Sequence, residues 1–267
     1  MNAAWYKLGL FQLKMEKDIG AKVLEITHAA LSRNLLFEPA VPFQVESKPN
    51  ACYALAGWDE MCPTLAEASS MPRFGLAWTA PVKTQVNETA LSTEWNIPDL
   101  IMERKIASRD NALEMHYRFI NQSDQSIPFL WAGHIIFPVD GLLYVTLQGR
   151  QRIPGPGCDI NNLKQHIADD VESLRIDSFT NIGKSWKFFV SVTDTACLVY
   201  EDCTLSVTTN TGWLGIFLNR GNFGPPCIGI EPTSCPTDSA DESTLLLPGT
   251  TREVSWSLQV DVASNTA

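Results

Sequence analysis

The chain has 267 residues, 45% of them apolar and 19% charged, with 30 acidic side chains against 20 basic ones. That composition excludes a disordered chain. A net charge of −10 with no run of Lys or Arg also argues against nucleic acid or an anionic membrane as partner, since both need concentrated positive charge.

From the N-terminus onward, the first 20 residues carry Lys7, Lys14, Glu16, Lys17 and Asp18, which interrupt any signal-like apolar stretch. No later segment has the length of a membrane span. Trp58 stands in Gly57-Trp58-Asp59-Glu60, and Trp78 follows Pro72-Arg73-Phe74-Gly75. Leu113, Met115, Tyr117 and Phe119 alternate with Glu114, His116 and Arg118, which predicts a strand with one wet face. Residues 129–139, 188–192 and 213–218 are apolar on both phases and predict strands covered on each side. Turn clusters at 154–157, 219–222 and 248–249 separate them. Only 161–174 predicts a helix, on the four-residue spacing of Leu163, Ile167 and Val171. The chain closes on the alternation Val254, Trp256, Leu258, Val260, Val262. Many strands, regular turns and almost no helix predict an all-β protein, a large antiparallel sandwich or barrel, in one domain over residues 1–267. Seven cysteines without a C-x-x-C pair read as small core or loop residues of a cytoplasmic protein.

Two ionisable residues stand where a purely structural strand has none. His134 lies in Leu130-Trp131-Ala132-Gly133-His134-Ile135-Ile136, and Glu231 in Ile228-Gly229-Ile230-Glu231-Pro232-Thr233. A buried carboxylate needs a charge partner, a hydrogen-bond network or a ligand, and burial raises its pKa toward the range of a general base. A hydrogen-bonded core histidine is the bland alternative for His134. His116 and His166 read as solvated, and no metal spacing or phosphate loop is present, so neither metal nor cofactor is expected. The aromatics Trp58, Trp78, Trp131 and Phe223 suit stacking on a sugar ring, against the alternative of ordinary core packing.

Four segments, in order, resemble the aldose 1-epimerase (galactose mutarotase-like) superfamily, in an uncharacterised bacterial branch. Gly57-Trp58-Asp59-Glu60-Met61-Cys62-Pro63-Thr64 is similar to its G-(aromatic)-D-(D/E)-x-x-P-T segment, and Leu130-Trp131-Ala132-Gly133-His134 to the strand ending in an acid histidine. Trp213-Leu214-Gly215-Ile216-Phe217-Leu218-Asn219 with Ile228-Gly229-Ile230-Glu231-Pro232-Thr233 resembles the strand pair presenting the base, and Leu247-Pro248-Gly249-Thr250 with Trp256-Ser257-Leu258 the closing strand. The resemblance implies a large antiparallel β-sandwich with a carbohydrate groove. It implies Glu231 as base on the C1 hydroxyl and His134 as acid on the ring oxygen, both titrating near neutrality. Trp58, Asp59, Glu60, Arg73, Phe74, Trp78, Trp131, Asn219 and Arg220 are the candidate sugar contacts. Where relatives have His-Gly, this chain has Phe74-Gly75, which can stack but not donate a hydrogen bond. The implied function is an aldose 1-epimerase-like isomerase acting on a free hexose, as monomer or homodimer. The alternatives are a non-catalytic carbohydrate-binding or regulatory module, or a hexose-phosphate epimerase, which would need a cationic phosphate site.

Overall fold

A computed structural model describes residues 3–18, 20–38, 56–68, 71–155, 168–169, 173–176 and 179–263. Alternation of apolar and polar residues dictates strands, and strands fill it. In one sheet, β1 (Ala3–Leu8), β2 (Phe11–Glu16), β3 (Lys22–His28) and β4 (Trp58–Met61) lie in succession. The sheet continues through β10 (Ala132–Pro138), β17 (Cys227–Thr233) and β16 (Trp213–Arg220) to β14 (Lys184–Tyr200). The second sheet runs β5 (Val82–Val86), β6 (Ala90–Ile97), β7 (Leu100–Arg109), β8 (Ala112–Asn121), β19 (Thr251–Val262), β15 (Cys203–Thr209) and again β14.

The 17-residue β14 therefore belongs to both sheets: residues 184–191 pair with β16 and residues 195–199 with β15. Along its other edge lies β11 (Leu142–Pro154), to which β13 (Ser173–Ile176) and then β12 (Ala168–Asp169) attach. A short pair, β9 (Ile127–Phe129) with β18 (Thr244–Leu246), completes the strands. All these pairings are antiparallel, and the fold is the expected all-β sandwich. The helix expected over 161–174 is not found where that segment is described: Ala168–Asp169 and the start of Ser173–Ile176 are strand, and the remainder, with His166, lies outside the described residues. The 3₁₀ turn Ala240–Glu242 is the only helical element among the described residues.

Side chains of alternate parity divide between core and outer face. In β16, Leu214, Ile216 and Leu218 enter the core, and in β17 Ile228 and Ile230 do. The opposite parity, including Gly215, Phe217, Gly229 and Glu231, faces away from the core. That face carries the candidate site.

Candidate functional site

Strand register assembles the site as a row across six strands. His134 of β10 pairs with Asp59 of β4. Ala132 opposite Thr233 and Ile136 opposite Gly229 bring His134 level with Glu231 of β17. Glu231 pairs with Gly215 of β16, and Gly215 with Phe189 of β14. Beyond Asp59, Lys22 of β3 sits beside it, since Val23 pairs with Trp58. His134 is 7% exposed and Glu231 1%, so the two groups that stood out in apolar strands are brought together and almost closed off.

Glu231 has two unlike oxygens. Oε2 accepts from Lys187 Nζ at 2.6 Å, while Oε1 faces His134 Nε2 at 3.6 Å and is buried with no hydrogen-bond partner. Lys187 also meets Asp238 Oδ1 at 2.8 Å. Two glycines make room for this carboxylate. A Cβ at Gly215 would stand 3.1 Å from Oε2 and 3.5 Å from Lys187 Cε, and one at Gly229 would stand 3.1 Å from Oε1. On the far side of His134, Lys22 and Asp59 form a buried ion pair.

The electrostatics follow from burial first. Burial, then the Lys187 and Lys22 cations, push the His134 pKa down to about 3, so the imidazole is neutral at physiological pH. This corrects the expectation of a histidine titrating near neutrality. Burial pushes Asp59 up to about 6 against the pull of Lys22 and Trp78, and lowers Lys22 despite Asp59. Burial also works against the Lys187 cation, but Glu231 and Asp238 outweigh it and raise its pKa.

Not every expected sugar contact reaches this face. Trp58 and Glu60 flank Asp59 in β4 and point the opposite way, into the core. Trp58 packs edge-on against Trp256 at 5.0 Å under the Arg104 guanidinium. Glu60 accepts from Arg104 at 2.8 Å, Tyr117 at 2.9 Å and Trp131 Nε1 at 2.8 Å. Trp131 is thereby a core residue too. Arg220 has the core-facing parity of β16, donates to the Thr180 carbonyl and lies over Trp186. Asn219 has the right parity, but its amide is engaged in the following turn, with Pro225 O at 2.8 Å and Phe223 N at 3.1 Å.

Phe74 and Trp78 do border the row. Phe74, at φ +71°, meets Trp78 edge-on at 4.5 Å, and both join a small cluster with Met61, Leu65, Leu130, Ala132 and Cys235. Arg73 is exposed and covers the Phe74 ring at 4.9 Å. Phe223 is 40% exposed, next to Phe217.

Three residues of the site were missed in the sequence: Lys22, Lys187 and Asp238. For Lys187 the signal was present, a lone charge in Trp186-Lys187-Phe188-Phe189-Val190, the same anomaly that singled out Glu231.

The architecture is the galactose mutarotase-like β-sandwich, and solved structures share it over almost the whole chain. A galactose mutarotase-related enzyme from Lactobacillus acidophilus is 14% identical, with 98% of this chain and 99% of that one covered at a TM-score of 0.75. A galactose mutarotase-like protein from Lactobacillus casei ATCC 334 is 14% identical, covering 97% and 100% at 0.68. One from Clostridium acetobutylicum is 11% identical, covering 97% and 95% at 0.68. No protein-family profile matches the sequence, and no curated protein does.

Proposed function

We propose that this protein is an aldose 1-epimerase-type isomerase that interconverts the anomers of a free hexose or related sugar at the His134–Glu231 pair. One observation carries the reading. Oε1 of Glu231 is buried with no hydrogen-bond partner and faces Nε2 of His134 across 3.6 Å. That gap is too long for a hydrogen bond, yet a hydroxyl oxygen standing off the line reaches both at about 2.8 Å. Such a hydroxyl donates to Oε1 and accepts from Nε2–H, a bond that passes to the ring oxygen as the ring opens.

In the reaction, Glu231 Oε1 takes the proton of the C1 hydroxyl as the C1 carbonyl forms and the bond from C1 to the ring oxygen breaks. His134, neutral in the free protein, stabilises the departing ring oxygen with an N–H hydrogen bond. The proton that the ring oxygen acquires is then the one held by Glu231, and reclosure on the other carbonyl face reverses each step. Phe74 and Trp78 offer apolar surface beside the row for the C–H face of the sugar. Asp59, Arg73 and the turn held by Asn219 complete its polar surroundings, with the chain acting as one domain.

The neutral state of His134 favours a second reading, a carbohydrate-binding module that holds the sugar without turnover. A hexose phosphate is the poorer ligand, because Lys22 and Lys187 both already face carboxylates. Free thiols at Cys62, Cys197, Cys203, Cys227 and Cys235 suit the cytoplasmic location proposed here.

Exchange NMR of α and β anomers across a panel of aldoses tests the proposal. Wild type should exchange at least one of them, and Glu231→Gln should slow that exchange by about 10²–10⁴-fold. The variant should stay folded, because Asp238 remains as counter-ion to Lys187. Binding without exchange on every aldose would install the binding module instead.

A further inference from the structure

We propose that Lys187 is a positioning residue of this site. Its ammonium, anchored on Asp238, holds Oε2 of Glu231 and leaves Oε1 as the one oxygen of that carboxylate offered to a sugar hydroxyl. The inference rests on the reading of Glu231 as the sugar-facing base.

The clamp is built from both ends. The Lys187 carbonyl accepts from Gly155 N at 2.9 Å, which fixes the strand from which the side chain sets out. That side chain then passes Gly215, where no Cβ obstructs it. At the far end, the Asp238 carbonyl accepts from the amides of Leu65 at 3.0 Å and Ala66 at 2.7 Å, and from Thr64 Oγ1 at 3.2 Å. Between these fixed points, Nζ lies 2.6 Å from Oε2 and 2.8 Å from Asp238 Oδ1. An ammonium supplies three donors and accepts nothing, so a carboxylate oxygen bound to it cannot also swing toward His134.

Charge gives the clamp a second effect. Glu231 faces His134 from β10, Lys187 from β14 and Asp238 from the segment after β17. Lys22 and Asp59, on β3 and β4, lie beyond His134. With Lys187 removed, Glu231 and Asp238 become two carboxylates facing one hollow, and like charges so placed retain a shared proton. A base that holds a proton removes none. His134, kept neutral chiefly by burial, would meanwhile lose one of the two cations that add to that effect.

The test uses Lys187→Met in the full chain, with two readouts. Anomer exchange at pH 7 should fall by about 10²-fold, mostly in kcat, and recover as the pH is raised and the shared proton leaves. The NMR titration of the His134 ring should move to higher pH. A folded variant with the wild-type pH profile and the wild-type His134 titration would overturn the proposal. If Lys187→Met does not fold, Asp238→Asn loosens only the anchor: exchange should drop severalfold, and an unchanged rate would count against the clamp. If wild type exchanges no aldose, the epimerase reading fails by itself. Lys187 is then tested by sugar affinity, which Lys187→Met should lower while shifting the His134 titration, and which an unaltered affinity and titration would refute.

Discussion

His134 is a buried imidazole whose surroundings disfavour its charged form. In the folded protein its pKa is about 3 against an ordinary 6.5. Between those values the unfolded chain binds a proton that the folded chain does not. Stability from this group is therefore fully present above pH 6.5 and lost as pH falls toward 3, by about 1.4 kcal/mol per unit at most. Asp59 has the opposite sign. Its folded value of about 6 exceeds the ordinary 3.8, so its contribution rises as pH falls from 6 to 3.8. His134→Asn removes the first effect and keeps the second. Chemical denaturation at a series of pH values should find the variant losing less stability than wild type between pH 6.5 and 4. Equal slopes for the two proteins would mean that His134 titrates normally in the fold.

At the scale of the element, β4 shows how four consecutive buried residues serve two purposes. Period-2 alternation sends Asp59 to the site while Trp58 and Glu60 go to the core. Trp58→Ala should accordingly cost about 3–5 kcal/mol of stability, with sugar affinity of the folded variant little changed; calorimetry and titration of the same preparation separate the two. A large loss of affinity at unchanged stability would return Trp58 to the groove. In β17 the demand is for emptiness. A methyl at Gly229 would stand 3.1 Å from Glu231 Oε1, 3.1 Å from Phe217 Cβ and 3.2 Å from Ile136 Cδ1. Gly229→Ala should lower stability by about 1–3 kcal/mol and reduce sugar binding by more than Trp58→Ala does, because it crowds the oxygen proposed to receive the sugar hydroxyl.

Across the whole molecule, one buried polar network ties the two sheets. Glu60 projects from β4 in one sheet, while Arg104 of β7 and Tyr117 of β8 reach it from the other. Trp256 of β19 extends the network by donating to the Tyr117 hydroxyl at 3.3 Å. Arg104→Leu leaves the Glu60 charge buried without its cation and should cost about 3–5 kcal/mol, read as a drop in the denaturation midpoint. Glu60→Gln with Arg104→Leu should recover part of that loss, since the stranded charge is gone; a double variant no more stable than the single one would show that packing, not charge, sets the cost.

The sequence by itself determined that the chain is built of strands, because alternation is a local property and survives in any tertiary setting. It also marked His134 and Glu231, since an ionisable group in an apolar run costs free energy wherever the strand lies. It could not decide which face of β4 borders the His134–Glu231 pair. Trp58, Asp59 and Glu60 are all buried, and only the packing of β4 against the second sheet separates core from site. Nor could it join Lys187 and Asp238 to Glu231: that contact passes from β14 across the gap at Gly215, and register between distant strands is set by tertiary pairing. The protonation of His134 was decided there as well, by burial and by two lysines far from it in the chain.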